Sequence, residues 1–143
     1  MEEKKYRNPS LAVDAVIRHR TDPSILLISR KNEPFGWALP GGFVDYGEST
    51  EDAVDREVME EVSLEFKRAG MLGVYSDPSR DPRQHVVSVV YYGSAIGDNP
   101  VAADDAKEAR FFLVENLPDL CFDHGQIIED YMNLYNKWTT FLS

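Results

Sequence analysis

Short apolar blocks alternate with polar ones through most of the chain, and few blocks are long enough to be helices. LAVDAVIR (residues 11–18) and SILLISR (24–30) read as strands joined by a turn that contains TDP. NEPFGWALPGG reads as loop, punctuated by Pro34, Gly36, Pro40, Gly41 and Gly42. A helix is predicted from Thr50, with Ser49 as N-cap and Glu51 and Asp52 suited to its first turn. LEFKRAGMLGVYS predicts one or two strands interrupted by Gly70 and Gly73, and SDPSRDPRQ a polar loop. HVVSVVYYGSA (85–95) carries the strongest strand signal, being β-branched and aromatic. GDNPVAADDAKE then reads as a second polar loop and ARFFLV as a further strand. In GQIIEDYMNLYNKWTTFL, residues Ile127, Tyr131, Leu134, Tyr135, Trp138 and Phe141 recur at helical spacing, a stripe suited to core or a subunit contact. The order of elements predicts a mixed sheet with helices, α/β or α+β, in a single domain spanning residues 1–143.

Charge changes the picture. A formal net charge of -10 argues against a nucleic-acid backbone or an anionic membrane surface as partner. A small anionic substrate stays open, because a bound cation reverses the local sign. One cysteine, Cys121, leaves no internal disulfide to form. The polar start, MEEKKYRNPS, lacks the apolar run of a signal peptide, so a cytoplasmic location is expected.

The negative charge is concentrated. Between Asp45 and Glu61, 8 of the 25 acidic residues face a single cation, Arg56. At 100° per residue, Val54, Val58 and Val62 share one side of the helix and predict its buried stripe. Glu57 falls about 60° from Val54, Glu61 about 20° from it, and Glu60 about 60° beyond Glu57. The three glutamates thus adjoin the buried stripe, where repulsion and desolvation both act against them. A cation offsets both, and clustered carboxylates suit Mg²⁺ or Mn²⁺.

Spacing makes this specific. From Gly42 the chain reads Gly, five residues, Glu48, seven residues, then Arg56-Glu57-Val58-Met59-Glu60-Glu61-Val62-Ser63-Leu64. It resembles the Nudix box, Gly-x5-Glu-x7-Arg-Glu-U-x-Glu-Glu-x-Gly-U with U a bulky aliphatic, and eight of the nine specified positions match. By average residue usage, such a match arises by chance on the order of once in a million chains of this length. The departure is Ser63, where the family has a glycine that ends the helix in a left-handed conformation.

The resemblance implies a Nudix-type α/β/α sandwich, with a mixed sheet between helices. It further implies that Glu57, Glu60 and Glu61 hold Mg²⁺ (or Mn²⁺) with the Gly41 carbonyl, that Arg56 braces the carboxylates, and that Glu48 binds metal or orients the loop. The activity implied is metal-assisted hydrolysis of a nucleoside diphosphate derivative. VYSDPSRDPRQHVVSVVYYG and FDHGQII also resemble segments of small prokaryotic ADP-ribose pyrophosphatases, which yield AMP and ribose 5-phosphate. Arg80 and Arg83 suit phosphate or ribose, as does Arg30, because guanidinium forks match phosphate oxygens. Phe35, Trp37, Tyr46 or Phe122 offers a stacking surface for adenine, while His85 reads as a structural histidine. Glu48 and Glu60 within the box and Glu108 in the later loop are the alternatives for catalytic base. Family precedent adds the expectation of a homodimer. Two other readings compete: a housecleaning hydrolase of 8-oxo-dGTP-type triphosphates, and a module that senses ADP-ribose without cutting it. Intact Glu57, Glu60 and Glu61 argue against the sensor.

Overall fold

The strand β1 (Ser10–Arg18) is apolar on both sides, and the architecture follows from that. Val13, Ala15 and Ile17 enter one core, with Ala53, Val54, Val58 and Val62 of helix α1 (Thr50–Val62). Val16 enters the other, with Ile127, Ile128 and Tyr131 of helix α2 (His124–Leu142). β2 (Ser24–Arg30) divides likewise, sending Leu26 and Ile28 toward α1 and Ile25 and Leu27 toward α2. Strands buried on both faces read as continuous apolar runs, as these two do. The result is an α/β/α sandwich, as the sequence predicts. The computed structural model describes residues 6–142, with side chains described through residue 137. The residues 1–5 of the polar start lie outside the described residues, as do the side chains of Trp138 and Phe141 from the aromatic stripe.

Seven strands form one mixed sheet. β3 (Trp37–Ala38) and β4 (Gly41–Phe43) are short strands inside the stretch predicted as loop, pairing with β2 and β1 respectively. β5 (Glu65–Tyr75) is one continuous strand against β6 (Val86–Ile96), and the two glycines mark register shifts within it. β1 and β6 run parallel, from Ser10↔Val86 to Arg18↔Ser94. β7 (Ala106–Leu113) pairs antiparallel with β2 and begins three residues before the predicted ARFFLV strand. Among the described residues no helix is long and apolar enough to cross a membrane.

Both ends of α1 follow from local chemistry. The Ser49 hydroxyl accepts from the Asp52 amide at 3.0 Å, satisfying one of the helix's orphan donors. At the other end Ser63 is left-handed, with φ 60° and ψ 33°, and its amide donates to the Met59 carbonyl. Serine meets a Cβ clash there that glycine avoids. It compensates with a hydroxyl that donates to the Val101 carbonyl at 3.0 Å.

Ser63→Gly and Ser63→Ala separate these two effects. Glycine relieves the left-handed strain while losing the hydroxyl bond; alanine loses the bond and keeps the strain. Urea denaturation should find Ser63→Gly more stable than Ser63→Ala by about 1 kcal/mol. Equal stabilities would show that the left-handed geometry carries no cost.

Candidate active site

Two glycines shape the meeting of α1 with the sheet: Gly42 leaves room for the Glu57 carboxylate, and Gly41 lets β4 lie close on β1. A β-carbon on Gly42 would collide with the Glu57 carboxylate, and one on Gly41 with the Val13 carbonyl and Asp14. With neither present, Glu57 and Glu61 settle against β4, only 9% and 3% exposed. The Gly41 amide donates to Glu61 Oε1 at 2.8 Å. Burial pushes the Glu61 carboxyl up to about 8; that bond opposes the rise, and the neighbouring charges of Glu57, Asp14 and Asp105 add to it. Glu57 is also raised, by burial first, with Arg56 working against it.

Arg56 distributes its guanidinium among three box carboxylates. Nε and Nη2 clasp Glu48 at 2.7 and 2.9 Å, and Nη1 donates to Glu57 at 2.9 Å and Glu60 at 3.2 Å. It also donates to the Phe43 carbonyl, which ties the helix to β4. The guanidinium, aided by the Asp45 amide, holds Glu48 down at about 2. A single arginine thus fixes the carboxylates, leaving Glu48 firmly ionised and Glu61 strained toward neutrality.

Glu57 and Glu61 open onto a cleft of about 300 Å³. Asp14, Asp45, Asp104 and Asp105 add acidic lining, and Arg30, Arg80, Arg83, Phe122 and His124 also line it. Among the described residues no three acidic, histidine or cysteine side chains converge into a ready-made cation cage. The donor set nonetheless fits a hard divalent cation. It offers oxygen ligands only, and a buried carboxylate whose charge lacks compensation. Glu60 is 42% exposed, is held by Arg56 and does not line the cleft.

Three predicted placements change. Arg80 is buried, its fork spent on Asp123 at 2.7 and 2.9 Å, so it braces the cleft instead of offering free donors. Arg83 is likewise clasped by Asp81, at 2.8 and 3.0 Å. The SDPSRDPRQ loop supplies the counter-ion of Arg83 in Asp81, while buried Arg80 takes its partner from Asp123, just before α2. Glu108 lies on β7 opposite Ser29, exposed and outside the cleft. Asp104 takes a left-handed φ of 53°, after which β7 begins at once; Asp104 and Asp105 therefore line the cleft where Glu108 was expected.

Arg30 donates to the Pro34 carbonyl at 2.8 Å and lies 5.1 Å from the Phe122 ring, with Arg83 5.4 Å from the same ring. Of the four aromatic candidates only Phe122 lines the cleft. Trp37 packs edge-on against Phe112, while Phe35 and Tyr46 are exposed. His85 reaches the Ser76 carbonyl at 3.0 Å, a structural contact. Asp14 and His124 escaped the sequence reading as site residues. Asp14 had a visible signal, a lone carboxylate in an otherwise apolar strand.

The fold, the glycine pair and the carboxylate helix together define a Nudix domain, and the Nudix family model matches residues 8–131. The chain belongs to the Nudix family. It is 54% identical over 138 residues to an ADP-ribose pyrophosphatase of Methanocaldococcus jannaschii, covering 93% of this chain and 80% of that one. The NUDIX domain of Shewanella oneidensis NrtR, solved with ADP ribose, superposes with a TM-score of 0.82 at 30% identity, covering 94% of each chain. A MutT/nudix family protein from Enterococcus faecalis gives 0.85 at 35% identity, over 96% of this chain and 66% of that one. The chain thus spans just under two thirds of the length of that last relative.

The raised carboxyls make stability depend on pH. Between about 4.5 and about 8 the unfolded chain has released the Glu61 proton and the folded one retains it. Metal-free protein should therefore lose stability as pH rises through that window, by at most about 1.4 kcal/mol per unit for one proton. Glu61→Gln should flatten the slope in thermal melts at pH 5, 6.5 and 8; an unchanged slope would place the strain elsewhere. Glu108→Gln should keep wild-type kcat, whereas loss of turnover would return the base to β7.

Proposed function

We propose that this chain is a Mg²⁺- or Mn²⁺-dependent pyrophosphohydrolase that cleaves ADP-ribose to AMP and ribose 5-phosphate. One observation carries the substrate: 54% identity to an ADP-ribose pyrophosphatase across 93% of the chain. The site agrees with it. Glu57 and Glu61 share the lining of a cleft with Arg30, Arg80 and Arg83, a mixed polarity suited to a metal–diphosphate complex.

Glu57, Glu61 and the Gly41 carbonyl would hold the cation, with Glu60 joining from the rim. When bound, the cation neutralises the diphosphate and makes phosphorus more electrophilic. Arg56 keeps Glu57 and Glu48 in place throughout. The oxygen of water bonds to one phosphorus while the bridging P–O bond breaks, and the bridging oxygen leaves on the other phosphate. A carboxylate takes the water's proton. Glu48 and Glu60 remain the box alternatives, and Asp104 and Asp105 replace Glu108 as the later-loop ones. Arg30 and Phe122 would receive the nucleoside or the terminal ribose phosphate. The proposal extends to a cytoplasmic setting and a homodimer, the latter tested by sedimentation equilibrium.

A second reading has its own support. The NrtR domain with ADP ribose resembles this chain closely, and a 27% identical relative in Acinetobacter baylyi is an ADPR responsive transcriptional repressor. Binding without hydrolysis would unite those similarities. The retained box carboxylates favour turnover.

Comparison of kcat/KM for ADP-ribose, other ADP-sugars, NADH, diadenosine polyphosphates and 8-oxo-dGTP decides the matter. ADP-ribose should lead, and only with divalent cation present. A tenfold preference for 8-oxo-dGTP would overturn the substrate, and tight ADP-ribose binding without AMP release would establish the sensor. Glu57→Gln and Glu61→Gln should each lower kcat by several orders of magnitude in folded protein.

A further inference from the structure

A buried histidine that the proposed chemistry does not use lies under the cleft. His124 opens α2, is 3% exposed, and accepts from the Leu39 amide through Nδ1 at 3.0 Å. An accepting Nδ1 carries no proton, so a neutral ring bears its proton on Nε2. Nε2 faces Asp14 Oδ2 at 3.6 Å. The same Oδ2 accepts from the Ser88 hydroxyl at 2.5 Å, which fixes the carboxylate. The Leu39 amide thus bonds one edge of the ring, and the Asp14 carboxylate is a close polar neighbour of the other.

The Leu39 amide begins the segment that ends at the site. Pro40 has no amide, but its carbonyl accepts from Ala15 at 2.9 Å. Gly41 follows, its amide on Glu61 and its α-carbon packed so tightly over Asp14 that no side chain fits. His124 and Asp14 therefore grip both ends of a three-residue span that determines where the Gly41 carbonyl and the Glu61 carboxylate point. Loss of the acceptor would strand a buried amide, and the span would move to satisfy it.

We propose that His124 is a positioning residue for the cation site, acting through Leu39 and Gly41 with Asp14 as its orienting partner. It lines the cleft at only 3% exposure and acts through the Leu39 backbone rather than by contact with substrate or metal. The inference rests on the reading that Glu61 and Gly41 hold the cation. Supporting groups of this kind change metal affinity by about 10- to 100-fold in metal sites generally.

Two substitutions separate position from bulk. His124→Phe keeps a ring and removes the acceptor; His124→Asn retains an oxygen near the place of Nδ1. Binding of Mn²⁺ to substrate-free protein, followed by electron paramagnetic resonance, reads the effect without turnover. His124→Phe should weaken Mn²⁺ about tenfold, while His124→Asn should stay near wild type. In steady state the loss should fall on kcat and on the Mg²⁺ activation constant, with KM for ADP-ribose held at saturating metal. Wild-type Mn²⁺ affinity in His124→Phe, or equal weakening in both variants, would overturn the inference. Glu61→Gln is the control, and undiminished Mn²⁺ binding there would overturn the cation reading itself. Should His124→Phe fail to fold, ¹⁵N spectra of the wild-type ring decide alone. Nδ1 must be the unprotonated nitrogen, and a proton found there would overturn the inference.

Discussion

Everything in the site depends on bringing two carboxylates out of water and against a strand. Side chains on a helix normally stop a residue's width short of a sheet. Here Gly42 leaves the space that Glu57 fills, while Gly41 lies close on β1 and turns its amide to Glu61. The arrangement is unfavourable alone, since burial and mutual repulsion both disfavour the ionised forms. It persists because the surroundings fix it: Arg56 from the solvent side, the Gly41 amide from the sheet side, and a valine stripe that anchors the helix. The same disfavoured charge makes a divalent cation a fitting occupant. Stability is given up where affinity is needed.

The two sides of the cleft are built on different terms. On the acidic side Glu61 has no cationic partner among the described residues, a deficit that a divalent cation would offset. On the basic side Arg80 and Arg83 each meet an aspartate in a fork-to-fork pair. These arginines contribute shape, with a field reduced by their partners. Of the three predicted substrate arginines, Arg30 is the one bonded to carbonyls and an aromatic ring instead of a carboxylate. It therefore keeps its full charge for whatever enters. The cleft's field is more acidic than a count of its arginines suggests.

The sequence disclosed the local features well and the convergent ones poorly. The valine stripe, the Ser49 cap and the left-handed Ser63 were legible because each depends on neighbours within a turn or two. The box glutamates were legible through spacing, although helical angles alone could not show that Glu60 turns away to Arg56. Arg80 was misread because its partner, Asp123, is 43 positions distant. Glu108 was misread because a polar composition suggested loop, whereas pairing with β2 extends the strand past it. Asp14 and His124 meet across 110 residues, and nothing local announces the encounter. A carboxylate alone in an apolar strand was the one visible hint.

The parallel pairing of β1 with β6 has a consequence for how the protein comes into being. β1 is made well before its long parallel partner, which begins at Val86. Until then the central strand has only β2 and β4 beside it, with one flank open. The contact is among the most non-local the chain can make, which slows folding and leaves apolar surface waiting. Asp123 and His124, made later still, lock Arg80 and Leu39. A nascent chain therefore carries all its box glutamates long before Phe122 and His124, which wall the same cleft, have been made.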